Sequence, residues 1–149
     1  MHQNINLAHD MKVVVLDGAT IAGQGDVISP VIDMQGFESV ALIAITGDVT
    51  VASVLTLTAQ AGDESDGSDA ADLAAAATFT ADATSADEKA LIVDLHRPRS
   101  QFVRAKLGRA TANAAVNALL AVLYNAGSKP VTADATVVAS VHVNDPAPA

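Results

Sequence analysis

The stretch ALIVDLHRPRSQFVRAKLG, residues 90–108, alternates apolar and polar side chains on both sides of a central RPRS. Alternation with a period of two is typical of β-strands, and a Pro flanked by charged residues and Ser is typical of a turn. In the second half, Val103, Ala105 and Leu107 fall on one side, and Arg104 and Lys106 fall on the other. The stretch therefore predicts a β-hairpin with its turn at RPRS.

Five other segments also carry strand patterns. ESVALIAITGDVT is apolar on both faces, which is typical of a central strand, and VLTLTAQ alternates Leu with Thr, which indicates one wet face. In AAAATFTADATSADEK, the TFT triplet favours a short strand although Ala favours helix. AAVNALLAVLYNAG predicts a long strand, with helix left open by its Ala and Leu, and ATVVASVHVND predicts a late strand.

Seven to nine short strands separated by Gly, Asp and Pro predict an all-β fold, a β-sandwich or jelly roll with extended N- and C-terminal arms. We divide the chain into an N-terminal arm at 1–16, a jelly-roll domain at 17–130 and a C-terminal strand and tail at 131–149. The alternation in both terminal segments requires a sheet partner. We therefore expect residues 1–16 and 131–145 to make contacts outside their own subunit.

Composition excludes several classes of protein. The chain has 149 residues, a net charge of −9, 50% hydrophobic but only 3% aromatic residues, and no cysteine. The lack of cysteine excludes disulfides and thiolate metal sites, and it suits a reducing cytoplasm. No apolar run reaches the ~18 residues that span a bilayer, and the start lacks the features of a signal peptide. We expect a soluble chain with no membrane partner.

The acidic loop DESDGSD, residues 63–69, offers many oxygen atoms to a cation. If Gly67 is the bend glycine of an EF-hand, the first ligand position falls on Gly62 and the twelfth on Leu73, neither of which has a carboxylate. A solvated loop with an Asp-Gly turn is the simpler interpretation, and cation binding by this loop stays open.

No catalytic, cofactor or metal site emerges from the sequence. His2, His9, His96 and His142 are scattered. Asp94, His96 and Ser100 have the composition of a hydrolase triad, but Ser100 lies beside the turn of the same predicted hairpin and no G-x-S-x-G motif is present. AGQGD, residues 22–26, lacks the third Gly and the Lys of a phosphate loop. We expect a protein that is not an enzyme and needs no cofactor.

The basic strip is the candidate partner-binding surface: Arg97, Arg99, Arg104, Lys106 and Arg109. It holds five of the eight bases, which leaves three bases against 17 acids in the rest of the chain. The strip could grip phosphates, with Phe102 stacking on a base, but the remaining acidic charge would repel nucleic acid. The alternatives are a merely solvated hairpin and a docking face for an acidic protein partner, and we favour the docking face.

The order of DMQGFESVALIAITGDVT, LTLTAQAGDESDGSDAADL, IVDLHRPRSQFVRAKLG and ALLAVLYNAGSKP resembles the jelly-roll decoration, or cement, proteins of tailed bacteriophage capsids. The resemblance covers roughly residues 30–130, and Phe102 stands where Tyr is common. It implies a structural virion protein, made in the host cytoplasm, that binds the outer capsid surface as a dimer or trimer. Its partner would be the major capsid protein, which it bridges to stabilise the shell.

The sequence leaves two other functions open. A head-fibre or minor tail component would share the same sequence features. A glycan-binding β-sandwich is disfavoured because the chain has no Trp and a single Tyr, Tyr124, with which to stack on a sugar.

Overall fold

The computed structural model describes residues 7–83 and 86–143, which form a β-sandwich of two antiparallel sheets. No helix within these ranges is long and apolar enough to cross a membrane. The described elements are α1 (Leu7–Asp10), β1 (Lys12–Asp17), β2 (Thr20–Gly23), β3 (Val27–Ile28), β4 (Ile32–Asp33), β5 (Phe37–Val49), β6 (Val54–Gly62), β7 (Ala71–Thr80), β8 (Ala90–His96), β9 (Phe102–Ala110) and β10 (Ala114–Ala126).

The strand order is that of a jelly roll. Sheet A has the order β1-β10-β5-β8, with β2 also paired to β10, and sheet B has the order β3-β9-β6-β7, with β4 also paired to β9. The pairs are nested along the chain: β1 with β10, β3 and β4 with β9, β5 with β8, and β6 with β7. Such nesting is typical of double-sheet jelly rolls. The predicted all-β sandwich is confirmed.

Several strand predictions are also confirmed. β5 lies inside sheet A, between β10 and β8, as its two apolar faces predicted. β10 is a strand of 13 residues, so the helix alternative for this segment is wrong. β7 is a strand that begins at Ala71 and so extends well before the TFT triplet. Leu55 and Leu57 of β6 are fully buried between the sheets.

The predicted hairpin at residues 90–108 is wrong. Its two halves are strands, but β8 pairs with β5 in sheet A while β9 pairs with β6 in sheet B. The RPRS segment therefore crosses from one sheet to the other, and Arg97 adopts a φ of 51° at the start of the crossing. Alternation specifies which face of a strand is apolar but not which strand it pairs with. The apolar faces of β8 and β9 contact the same core from opposite sheets. The same alternation is therefore compatible with a hairpin and with a crossing between the sheets.

The predicted late strand is also wrong within the described residues, because residues 135–143 belong to neither sheet. The C-terminal segment contacts the start of the chain instead: Val131 N donates to His9 O, and Val15 N donates to Thr136 Oγ1. Further along, Val141 lines a cavity of about 410 Å³ with Val13.

At the N-terminus, residues 12–16 lie in β1, which pairs with β10 of the same chain, so their sheet partner is intramolecular. Residues 1–6 and 144–149 lie outside the described residues. Contacts of residues 131–145 with another subunit stay a prediction.

Candidate interaction surface

The alternation of β9 divides the basic strip between two environments. Val103, Ala105 and Leu107 are at most 1% exposed and face sheet A, as predicted. Arg104 and Lys106 have the opposite parity and lie on the outer face of sheet B, half-buried. Because Arg109 has the parity of Leu107, its side chain enters the interior at the end of the strand.

Arg109 is a buried structural residue rather than part of an exposed surface. Its Nη1 donates to Ala114 O at 2.8 Å and to Ile21 O at 3.0 Å, its Nε donates to Gly25 O at 3.1 Å, and its Nη2 donates to Gln24 O at 3.3 Å. One guanidinium thus ties the connection between β2 and β3 to the start of β10. The parity of position 109 was visible in the sequence, but the carbonyl cluster that satisfies the charge was not.

Arg104 and Lys106 are paired within their own sheet. Arg104 Nε donates to Gln60 Oε1 at 2.7 Å, and Gln60 Nε2 donates to Asp72 Oδ1 at 2.7 Å. Lys106 Nζ donates to both oxygens of Asp72, at 2.7 and 2.8 Å. The Lys106 ammonium, followed by the Gln60 amide, lowers the pKa of Asp72. The network spans β9, β6 and β7, in which Asp72 neutralises Lys106 and Arg104 has the neutral amide of Gln60 as its partner.

The acidic loop between β6 and β7 packs beside this network. Asp69 accepts hydrogen bonds from the main-chain N–H groups of Asp63 and Glu64, at 2.8 and 3.0 Å, which lower the pKa of its carboxyl. Gly67 has a φ of +75°, and a Cβ at this position would lie 2.9 Å from Arg104 Nη1. The described residues contain no group of three or more His, Asp or Glu side chains arranged to hold a metal ion.

Arg97 and Arg99 are the exposed members of the basic strip, on the crossing between the sheets. Arg97 Nε lies 3.7 Å from Glu38 Oε2, and both side chains are more than half exposed. Arg97 and Arg99 line an open cavity of about 370 Å³ together with Leu73 and Leu95. The sequence predicted one continuous basic strip. In the structure, Arg97 and Arg99 are the exposed part of that strip.

The residues of the rejected triad do not form one. His96 Nδ1 lies 2.8 Å from Oγ of Ser39, which is fully buried on the neighbouring strand β5. The carboxylate of Asp94 accepts a hydrogen bond from the hydroxyl of Tyr124, which raises the pKa of that tyrosine, with burial as a second cause. These contacts link β8, β5 and β10 across the outer face of sheet A and give no exposed nucleophile.

A large apolar surface was missed by sequence reasoning. Val15, Leu120, Ile43 and Ile92 stand side by side in register across all four main strands of sheet A. Val15 is 40% exposed and Ile92 is 57% exposed, so the row faces outward. We call this row and its apolar neighbours the apolar face; the neighbours are Val13, Val122, Ala41, Ala118 and Ile45. The signal was present in β5, whose two apolar faces were interpreted only as a central position.

A comparison with protein-family models, and another with curated protein sequences, found no match for this chain. The surfaces that the fold presents are therefore the remaining guide to the function of the chain. Because proteins with a jelly-roll fold have many unrelated functions, the function must be inferred from the chemistry of those surfaces.

Proposed function

We propose that the chain is a non-enzymatic structural protein of a tailed-bacteriophage virion, which binds the outer capsid surface and bridges subunits of the major capsid protein. The observation that carries the proposal is the apolar face of sheet A. Monomeric soluble proteins rarely expose a contiguous apolar patch across a whole sheet, and larger patches mark interaction sites. The resemblance to decoration proteins supplies the identity of the partner.

The exposed arginines lie on the crossing that follows β8, the strand that carries Ile92 of the apolar face. Arg97 N donates to Glu38 O at 2.9 Å and so continues the ladder between β5 and β8 for one more residue. Arg97 therefore follows the end of β8 in sheet A, with Asp94 and His96 between it and Ile92 of the apolar face. An apolar centre with charged groups at its rim is the usual anatomy of a protein–protein interface, in which the rim charges steer approach and set specificity.

The distribution of charge favours a protein partner over nucleic acid. Nucleic-acid binding depends on several simultaneous phosphate contacts from Lys and Arg. Arg109 is buried, Arg104 and Lys106 are engaged by Gln60 and Asp72, and Glu38 lies beside Arg97. The pair that stays accessible suits a few acidic side chains on a capsid subunit.

Bridging explains how a small domain could stabilise a shell. Each contact is modest, but symmetric copies on a capsid act together, and a dimer or trimer engages several sites at once. The copies would be made in the host cytoplasm and located on the outside of the virion. The chemistry requires no cofactor.

Co-sedimentation tests the proposal. Purified protein is mixed with empty capsids of the phage that encodes it and centrifuged through a sucrose cushion. We expect saturable binding at a fixed ratio to the capsid protein. A chain that stays in the supernatant at all concentrations would contradict capsid binding.

A matched pair of variants tests the apolar face itself. Ile43→Glu places a charge at the centre of the face, whereas Ile28→Glu places the same charge on β3 of sheet B, where Ile28 is 46% exposed. Only Ile43→Glu should lose capsid binding. Circular dichroism and sedimentation of the free variants establish that both remain folded, and equal binding by the two would exclude the apolar face as the contact.

A further inference from the structure

The chain contains two Asp-Gly sequences, Asp17–Gly18 and Asp66–Gly67. At such a sequence the aspartyl carboxyl can react with the main-chain nitrogen of the glycine, because glycine has no side chain to block the approach. In a folded protein the reaction requires that the two groups lie within reach and that the peptide between them is free to move. The two sequences differ in both respects.

The Asp17–Gly18 sequence lies at the surface, where β1 ends and the chain turns towards β2. Gly18 N donates to Oδ1 of Asp17 at 2.9 Å, so the main-chain nitrogen lies beside the carboxyl of the preceding residue. Reacting groups about 3–3.5 Å apart are close to the geometry of attack. Gly18 and Ala19 are exposed, so water reaches the pair. The nitrogen and the carboxyl are therefore positioned to form a ring.

The fold does not hold the peptide group of Gly18 still. A Cβ at position 18 would meet no atom of the described residues within 4 Å. Gly25, Gly36 and Gly67 have a positive φ, whereas Gly18 does not. Neither a close neighbour nor a left-handed turn therefore requires glycine at position 18, and Gly18→Ala should fold normally.

The Asp66–Gly67 sequence is protected in the acidic loop. Gly67 N donates to Glu64 O at 3.1 Å, which engages the nitrogen in a turn. The carboxylate of Asp66 accepts a hydrogen bond from Ser68 N at 2.9 Å, and this bond, followed by one from the Ser68 hydroxyl, lowers the pKa of Asp66. Ring formation uses the protonated carboxyl, so this lowered pKa opposes it. Gly67 is also buried, with a φ of +75°.

We propose that Asp17 is a site of spontaneous covalent modification, at which the folded chain converts aspartate to isoaspartate in water. In the first step, Gly18 N forms a bond to Cγ of Asp17, and the carboxyl hydroxyl leaves with the amide proton as water. The product is a five-membered succinimide. Water then opens the ring at one of its two carbonyl carbons. One opening regenerates aspartate, and the other gives isoaspartate, in which the main chain runs through the side-chain methylene.

Isoaspartate at position 17 lengthens the main chain by one carbon atom at the edge of sheet A. Asp17 and Thr20 pair with residues of β10 that are likewise three positions apart, so β1 and β2 continue one register across their connection. An additional methylene breaks that match. Leu16, the preceding residue, is a core side chain that is 7% exposed. The modified chain should therefore unfold at a lower urea concentration than the unmodified chain.

Peptide mapping after storage tests the proposal. Purified full-length protein is kept for several weeks at physiological temperature and neutral pH and is then digested with endoproteinase Asp-N, which cleaves before aspartate but not before isoaspartate. Isoaspartate at position 17 leaves residues 10–25 as one peptide, and isoaspartate at position 66 leaves residues 63–68 uncleaved at that position. A fresh sample digested in parallel gives the background.

We expect roughly tenfold more isoaspartate at position 17 than at position 66 in the stored protein, because only Asp17 has a carboxyl positioned beside a mobile, exposed nitrogen. Equal conversion at the two positions would overturn the proposal. A stored protein without isoaspartate at position 17 would also overturn it.

Three variants separate this reaction from ageing elsewhere in the chain. Gly18→Ala adds a methyl group that hinders the attack, and Asp17→Glu retains the carboxylate but requires a six-membered ring. Asp66→Glu is the matched control. Protein L-isoaspartyl methyltransferase, which methylates isoaspartate with S-adenosylmethionine, measures the total in each stored protein after denaturation, and circular dichroism establishes that each was folded. Both changes at the first site should lower the total several-fold, and Asp66→Glu should retain it. The reverse order would overturn the proposal.

Urea unfolding measures the consequence for the edge of sheet A. The midpoint of stored wild type should fall as isoaspartate accumulates, whereas stored Asp17→Glu should keep its own initial midpoint. An unchanged midpoint in a sample with most of Asp17 converted would contradict the register argument. All these measurements use the purified protein without capsids, so this inference goes beyond capsid binding, and either proposal can fail while the other stands.

Discussion

Arg99 and Arg109 lie ten residues apart, at the two ends of the segment that contains β9, and they have opposite environments. Arg99 is exposed on the crossing between the sheets, whereas Arg109 is 9% exposed and donates to four main-chain carbonyls. Arg104, between them in the chain, bonds a neighbouring side chain on the sheet surface. One basic pattern in the sequence thus contains residues that hold the fold and residues available to a partner.

The largest effect is expected at the buried end. Arg109→Met should lower the free energy of unfolding by about 3 kcal/mol, because it removes charged donors and leaves several carbonyls without partners. Urea unfolding followed by circular dichroism measures the change. Arg99→Met, the matched control, should change stability by less than about 0.5 kcal/mol. Equal losses of stability in the two variants would contradict the different structural roles assigned to Arg109 and Arg99.

An intermediate effect is expected at Arg104. Arg104→Met leaves Gln60 Oε1 without its donor on a residue that is 8% exposed, and it should cost about 1 kcal/mol. The same urea titration measures it, and Gln60→Leu provides the second arm of a double-mutant cycle. If the two changes add without coupling, the hydrogen bond does not contribute to stability.

A smaller effect concerns acid stability and Asp72. Its pKa is lowered in the folded protein from an ordinary value of 3.8, so its stabilising contribution is complete above that value and is lost as the pH falls below it. Asp72→Asn should therefore lose less stability than wild type between pH 5 and pH 3, measured by the urea midpoint at each pH. Asp48→Asn, at an exposed position of β5, should retain the wild-type slope.

The smallest effect on stability, but a clear one on binding, is expected at the exposed end. Arg99→Glu should leave the unfolding midpoint nearly unchanged and weaken capsid co-sedimentation, and added salt should weaken wild-type binding because rim charges are screened. Lys129→Glu makes the same change in net charge at a distant site, where it replaces the ion pair with Asp10 by a repulsion between two carboxylates. Equal capsid binding by both variants would exclude Arg99 from the contact.

Part of the candidate surface was readable from the sequence. The alternation at Val103, Ala105 and Leu107 correctly placed Arg104 and Lys106 on the outside, and the same parity could have placed Arg109 inside. The partners Gln60 and Asp72 could not be found in this way, because they come from strands more than 30 residues away. The apolar face likewise becomes visible only when β1, β10, β5 and β8 are set side by side.

The sequence by itself determined the all-β class, the inner faces of most strands and the lack of thiol chemistry, because these depend on local alternation and composition. Only the tertiary structure decided that residues 90–96 and 102–110 belong to different sheets and that residues 135–143 join neither. Strand pairing depends on competition among all edges of the chain for hydrogen bonds and core volume. A local pattern records which side of a strand avoids water, and the whole fold selects the neighbour that covers it.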